Sequence, residues 1–284
     1  AQHLTEKDFR GEIFKNHPNN LQGDNDVLVL TCPDVVSSIH RQYLEAGADI
    51  IETNTFNAQA ISQAEYHTEN YIEKINFEAA HLAKVEADRM TKLTPDKPRF
   101  VAGSIGPTGK AASMSPDVEN PALRDIDYDT LQNAFITQIR ALIKGGVDLL
   151  LMETIFDTLN TKAAIAAAEK VFMEIGRRIP IMLSVTVSDA AGRTLSGQTM
   201  EAFLSSVSHA DLLSVGLNCS FGAEQMTPFL RQISDSSPYY VSAYPNAGLP
   251  DAMGAYGETP EMMAKGIERF VTEGLVNIVG GCCG

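Results

Sequence analysis

The sequence predicts an α/β fold, a TIM-type (β/α)8 barrel, on three observations. First, the segments EAGADIIETNT (45–55), KGGVDLLLMETIFD (144–157) and TEGLVNIVGGCCG (272–284) share one grammar: Gly closes a helical pattern, a short apolar run follows, and polar or reactive residues come next. Gly supplies the left-handed C-terminal cap of a helix, and an uninterrupted apolar run of this length suits a parallel strand covered on both faces. Second, the rule extends to RFVAGSIG (99–106), PIMLSVTVSD (180–189), DLLSVGLNCS (211–220) and YYVSAYPNAG (239–248). That makes seven strands at intervals of roughly 30 to 50 residues, the spacing of βα units. Third, no G-x-G-x-x-G follows a first strand and no G-x-x-x-x-G-K-[ST] occurs, so a doubly wound nucleotide-binding sheet has no support.

In chain order, residues 1–26 are polar, with HPNN and GDND, and VLVL (27–30) is a candidate for the eighth strand. The alternative places the first strand before residue 1. Helices are expected at 34–46, opened by Pro33 and Asp34, at 129–144, opened by Asp129, and at 157–175, 199–209 and 259–273. Residues 107–128 read as a long βα excursion on the face where barrels keep their active sites. The last strand runs into Gly284 with no closing helix, so both ends read as clipped from a complete barrel. One domain, 1–284, is expected.

Composition narrows the partners. With 44% hydrophobic and 20% charged residues over 284 positions a packed core is expected. Asp plus Glu number 36 against 22 Lys plus Arg, a formal charge of −14, which argues against nucleic acid and anionic membranes. No stretch approaches the roughly 18 apolar residues that span a bilayer, and AQHLTEKDFRGE lacks the features of a signal peptide. The expectation is a soluble, cytoplasmic chain.

Working side chains in such barrels sit at the C-terminal ends of strands. There the sequence places Glu52, Thr53, Asn54, Glu153, Thr154, Asp189, Asn218, Cys219, Asn246, Cys282 and Cys283. Three of the four cysteines fall on two of these ends, and three converging thiolates make a soft anionic site suited to zinc. Adjacent Cys282 and Cys283 would face opposite ways on a regular strand, but Gly280, Gly281 and Gly284 permit a bend. Cysteine is also among the most often buried residue types, so a plain core reading stays open. Glu153 either bonds a neighbouring amide or Lys, or receives an ammonium group; Asn218 and Asn246 read more readily as strand-end or turn residues than as ligands. The histidines are expected in solvated or capping roles, and Cys32 as a bystander.

GADIIETNTFNA, LMETIFDTLNTKAA, GRTLSGQT, GLNCSFGAEQM, YPNAGLP and GLVNIVGGCCG together resemble homocysteine S-methyltransferases across essentially the whole chain. ETNTFNA, DTLNTKAA, PNAGLP and DFRGE (8–12) resemble the homocysteine-binding domain of the cobalamin-dependent methionine synthases. The resemblance implies that Cys219, Cys282 and Cys283 hold zinc and that homocysteine binds as a zinc thiolate in the fourth position. Asn246 would occupy that position before substrate arrives, Glu153 would take the substrate's amino group, and Asn218 would join the substrate-binding residues. It implies methyl transfer from methylcobalamin, bound by another module of the same polypeptide, beside folate modules, to give methionine. The family's opening strand, with its Asp-Gly-Ala-Met-Gly-Thr motif, has no counterpart in the sequence. Alternatives are a betaine- or S-methylmethionine-dependent homocysteine methyltransferase, a metal-independent barrel lyase working through Glu153, or a docking module. No Lys ends a proposed strand to form a Schiff base, which weakens the lyase.

Overall fold

The computed structural model describes residues 3–284. Its strands are β1 (Ile50–Glu52), β2 (Phe100–Ile105), β3 (Leu149–Ile155), β4 (Ile181–Val185), β5 (Ser214–Asn218), β6 (Tyr240–Tyr244) and β7 (Ile278–Val279), one in each of the seven expected segments. Their hydrogen-bonded order is simply β1 to β7, and the registers of β1 with β2 and of β4 through β7 are parallel. A doubly wound sheet reverses its order at a switch point; this one does not, so the seven strands among the described residues have the singly wound order of part of a TIM barrel.

The helices are α1 (Glu6–Arg10), α2 (Leu28–Thr31), α3 (Pro33–Glu45), α4 (Ala60–Gln63), α5 (Ile72–Leu93), α6 (Tyr128–Gly145), α7 (Thr158–Ile175), α8 (Met200–Val207), α9 (Ala223–Ser236) and α10 (Pro260–Thr272). Five lie where expected. The cap of α6 is Asp127, not Asp129: its Oδ1 accepts from Thr130 N at 2.8 Å. Residues 107–127 contain neither helix nor strand, as the long excursion predicted.

VLVL (27–30) is not a strand. A 3₁₀ turn over Asn25–Val27 runs directly into α2, and Val27, Leu28 and Val29 are buried in a cluster with Phe9, Phe14, Leu21 and Ile75. Four apolar residues bury equally well in a helix, and Pro33, one residue past the Cys32 cap, starts α3 and favours helix here.

The chain forms two compact units. The first comprises 1–110, 126–151 and 163–179, with α5 packed on α6 and α3. It buries Asp24 and Asp26, 1% and 3% exposed. Asp26 accepts from Asn57 N at 3.0 Å, and burial together with the nearby Asp24 charge pushes its carboxyl up to about 7. Asp24 is also raised by burial, against hydrogen bonds from Gln63 and Thr68. His40, expected to be solvated, is 6% exposed on α3 with no partner for its Nε2, and burial pulls it down to about 4. The second unit comprises 111–125, 152–162 and 180–284 and contains every cysteine except Cys32.

Candidate metal centre

Within the second unit β5 ends at Asn218, and the next two residues turn sharply: Cys219 and Ser220 both have φ of +63°. Left-handed backbone is costly for residues with a Cβ and is retained where the surroundings enforce it, commonly at working sites. Here Cys219 N donates to Tyr244 O at 3.1 Å and Phe221 N to Cys219 O at 2.7 Å. Beyond β7 the ladder to β6 continues through Gly280 N to Ala243 O and Cys282 N to Pro245 O. Cys283 N donates to Asn246 Oδ1 at 3.1 Å, and Ala247 N returns a bond to Cys283 O at 2.8 Å. The Asn-Ala and Cys-Cys loops are thereby laced together.

These bonds bring the Sγ atoms of Cys219, Cys282 and Cys283 within 4.8 Å of one another, with Cys283 at 3.9 Å from each of the others. The glycines contribute mainly space. A Cβ on Gly280 would lie 2.7 Å from the Tyr244 ring, and one on Gly284, at φ +135°, only 2.3 Å from the Ala247 Cβ.

The electrostatics of the cluster follow from its crowding. The Cys282 hydrogen bond, helped by Ser220 N, Cys283 and Asn246, pulls the Cys219 thiol down to about 5. The same bond, with the charge on Cys219, pushes Cys282 up. Three sulfur ligand atoms this close together could hold a metal ion. Cys219 and Cys283 are half-buried and Cys282 is exposed, so the cluster opens to solvent on one side.

Asn218 is 1% exposed and fully engaged. Its Oδ1 accepts from Thr154 N at 3.0 Å and Ser184 Oγ at 2.7 Å, while its Nδ2 reaches Thr154 Oγ1 at 2.9 Å and Cys282 Sγ at 3.9 Å. Thr154 has φ of +54°, an outlier for a β-branched residue, and follows the half-buried Glu153 on β3. Asn246 is 3% exposed beside Cys283.

Not every strand-end residue joins this centre. Asp189 is exposed and caps its own turn, accepting from Ala191 N and Arg193 N. Glu52, Thr53 and Asn54 belong to the first unit, where Thr53 pairs with Thr55 and Asn54 bonds Asn25 O. Cys32 donates to Asp8 O, also in the first unit. Conversely, two neighbours carried no sequence signal. Ser184 lies mid-strand on β4 and donates to Asn218 Oδ1. Tyr256 closes a bridge with Pro250, and its phenol is raised by a hydrogen bond to Cys283 and by the cysteine charges.

Fold and site define a parallel α/β protein with a three-thiol centre at its strand ends. The chain belongs to the homocysteine S-methyltransferase family, whose model matches residues 2–284. Among solved structures it is similar to the homocysteine methyltransferase MmuM from Escherichia coli. To the metallated form it is 22% identical, covering 90% of this chain and 82% of that one, with a TM-score of 0.67. To the oxidized form it is 20% identical at the same coverage, with a TM-score of 0.71. A histamine dehydrogenase from Rhizobium sp. 4-9 shares the fold at 13% identity and a TM-score of 0.55, over 88% of this chain and 41% of that one. No described helix is long and apolar enough to cross a membrane.

Proposed function

We propose that this chain binds homocysteine at a zinc ion and prepares its sulfur for methylation by methylcobalamin, giving methionine, as the homocysteine-binding domain of a cobalamin-dependent methionine synthase. The observation that carries this reading is the meeting of three thiol sulfurs within 4.8 Å. Sulfur-only donor sets select soft or borderline cations, and three protein ligands leave one position for a substrate. Cys219, Cys282 and Cys283 would hold the ion, which when bound supplies the Lewis acidity that keeps a thiol ligand deprotonated near neutral pH.

The protein's own groups do the rest. Asn246 spends one Oδ1 lone pair on Cys283 N, and the other is free to fill the fourth position until substrate displaces it. Glu153 receives the ammonium group of homocysteine and so aims the thiol at the cysteines. The thiol proton goes to solvent. The sulfur's electron pair forms the new bond to the methyl carbon, and the donor keeps the pair of the bond that breaks.

ETNTFNA, DTLNTKAA, PNAGLP and DFRGE support cobalamin as the methyl carrier. On the same resemblance the cobalamin and folate modules, a first strand beside β1 and a helix after Gly284 would belong to the same polypeptide. Free thiols at all four cysteines fit a reducing cytoplasm. The test is to supply homocysteine and zinc with methylcobalamin, betaine or S-methylmethionine in turn. Methionine is expected from methylcobalamin alone; formation from either other donor instead would move the chain to another branch of the family.

A further inference from the structure

Asn218 stands apart from the other strand-end residues because every hydrogen-bonding position of its side chain is used within the protein. The amide's orientation is fixed by its surroundings: a backbone N–H can only donate, so the atom facing Thr154 N is the oxygen, and Nδ2 must face Thr154 Oγ1 and Cys282 Sγ. An amide with two acceptances and two donations already made has nothing left for a substrate.

What it grips is informative. Thr154 is held by both its N–H and its hydroxyl while its backbone sits at φ +54°, a conformation a threonine keeps only under restraint. That residue directly follows Glu153. The remaining N–H of the amide points at Cys282, one of the three clustered thiols. One buried side chain therefore touches the backbone that aims the carboxylate and the sulfur that anchors the opposite end of the site.

We infer that Asn218 is a positioning residue that sets the spacing between Glu153 and the cysteine cluster, and so selects thiols carrying an α-ammonium group at the length of homocysteine. This rests on the function proposed above, in that Glu153 is taken to receive the ammonium and the cysteines to face the thiol. Asn218 then acts through Thr154 and Cys282 and not by touching the substrate.

The test compares dissociation constants of the zinc-loaded chain for homocysteine and for 4-sulfanylbutanoate, which lacks only the amino group, after zinc content is measured for each variant. Wild type should prefer homocysteine. Asn218→Ala frees Thr154 and should shrink that preference by about tenfold, the worth of a charge-assisted hydrogen bond weakened by misplacement of the carboxylate. Asn218→Asp, close to isosteric, still accepts from Thr154 N and lets Thr154 Oγ1 donate to it, so it should restore the preference, which a residue needed only for stability or for direct substrate binding would not do. Both variants lose the N–H toward Cys282, and with cobalt(II) in place of zinc both should shift the sulfur-to-metal charge-transfer band to lower energy. An unchanged preference in Asn218→Ala, or a loss in Asn218→Asp equal to that in Asn218→Ala, overturns this inference while leaving the proposed function standing. A wild type that binds both thiols equally overturns both.

Discussion

Cys219→Ala should abolish stoichiometric zinc binding and lower methionine formation by about 100-fold or more. The floor comes from comparison: partners one step removed from a metal ligand typically cost about 10- to 100-fold when changed, and a ligand itself costs more. Cys219 is also a thiol that its neighbours pull down, so the cluster loses a readily ionised member. The loss should be local. Cys219 is half-buried and its backbone bonds to Tyr244 and Phe221 do not involve the side chain, so the variant should melt close to wild type. Metal analysis, thermal melting and a methionine assay on one preparation check the three statements. A variant that keeps both zinc and activity removes the metal centre from the account.

The second large effect concerns stability and lies in the other unit. Asp26 has its carboxyl pushed from 3.8 up to about 7, so between those values the folded chain holds a proton that the unfolded chain has released. Stability attributable to Asp26 therefore falls as pH rises through that window. Asp24, raised in the same direction, adds to the fall. His40 works oppositely: lowered from 6.5 to about 4, it stays neutral in the fold while the unfolded chain protonates, so its contribution rises with pH across its own window. The Asp26 and His40 slopes offset each other over the range they share.

Asp26→Asn should unmask this balance. The asparagine oxygen still accepts from Asn57 N, and its NH2 group has the Asp24 carboxylate nearby in place of a like charge. At pH 8 the variant should gain roughly 4 kcal/mol, the worth of about three pKa units, and near pH 3.5 almost nothing. Between pH 4.5 and 6 its stability should rise more steeply with pH than that of wild type, because the His40 slope is less opposed. Denaturant unfolding across pH checks this; a variant less stable than wild type at pH 8 would contradict the raised carboxyl of buried Asp26.

Much of the fold was legible because the barrel strands carry two redundant signals, a continuous apolar run and the Gly that ends the preceding helix. EAGADIIE and KGGVDLLLME illustrate both, and each holds a strand. The N-terminal region was not legible for the opposite reason. GDND reads as part of a polar stretch, yet Asp24 and Asp26 are buried, held by Asn57, Gln63 and Thr68, which lie 31 to 44 positions further along the chain. VLVL is too short for periodicity to separate strand from helix. No bounds were predicted for α5, the longest helix at 22 residues, or for α9, which keeps Pro228 inside it.

The site shows the same division. The three cysteines were visible because thiols at strand ends are chemically conspicuous and the βα rhythm places those ends on one face. Ser184 and the double grip of Asn218 on Thr154 were invisible, since they depend on which residues adjacent strands set side by side and on positive φ at Thr154 and Cys219. The sequence assigned Gly280 and Gly281 to a bend; in the structure the ladder to β6 runs on past β7, and Gly280 admits the Tyr244 ring.

The central claim is that the three-cysteine centre takes up a thiol as thiolate at a bound zinc ion. Titrating the zinc-loaded chain with homocysteine in weakly buffered solution at neutral pH, and following the released acid, tests it most directly. The account predicts about one proton per homocysteine bound, and none from the zinc-free chain. Binding without proton release, or equal release with and without zinc, would contradict it.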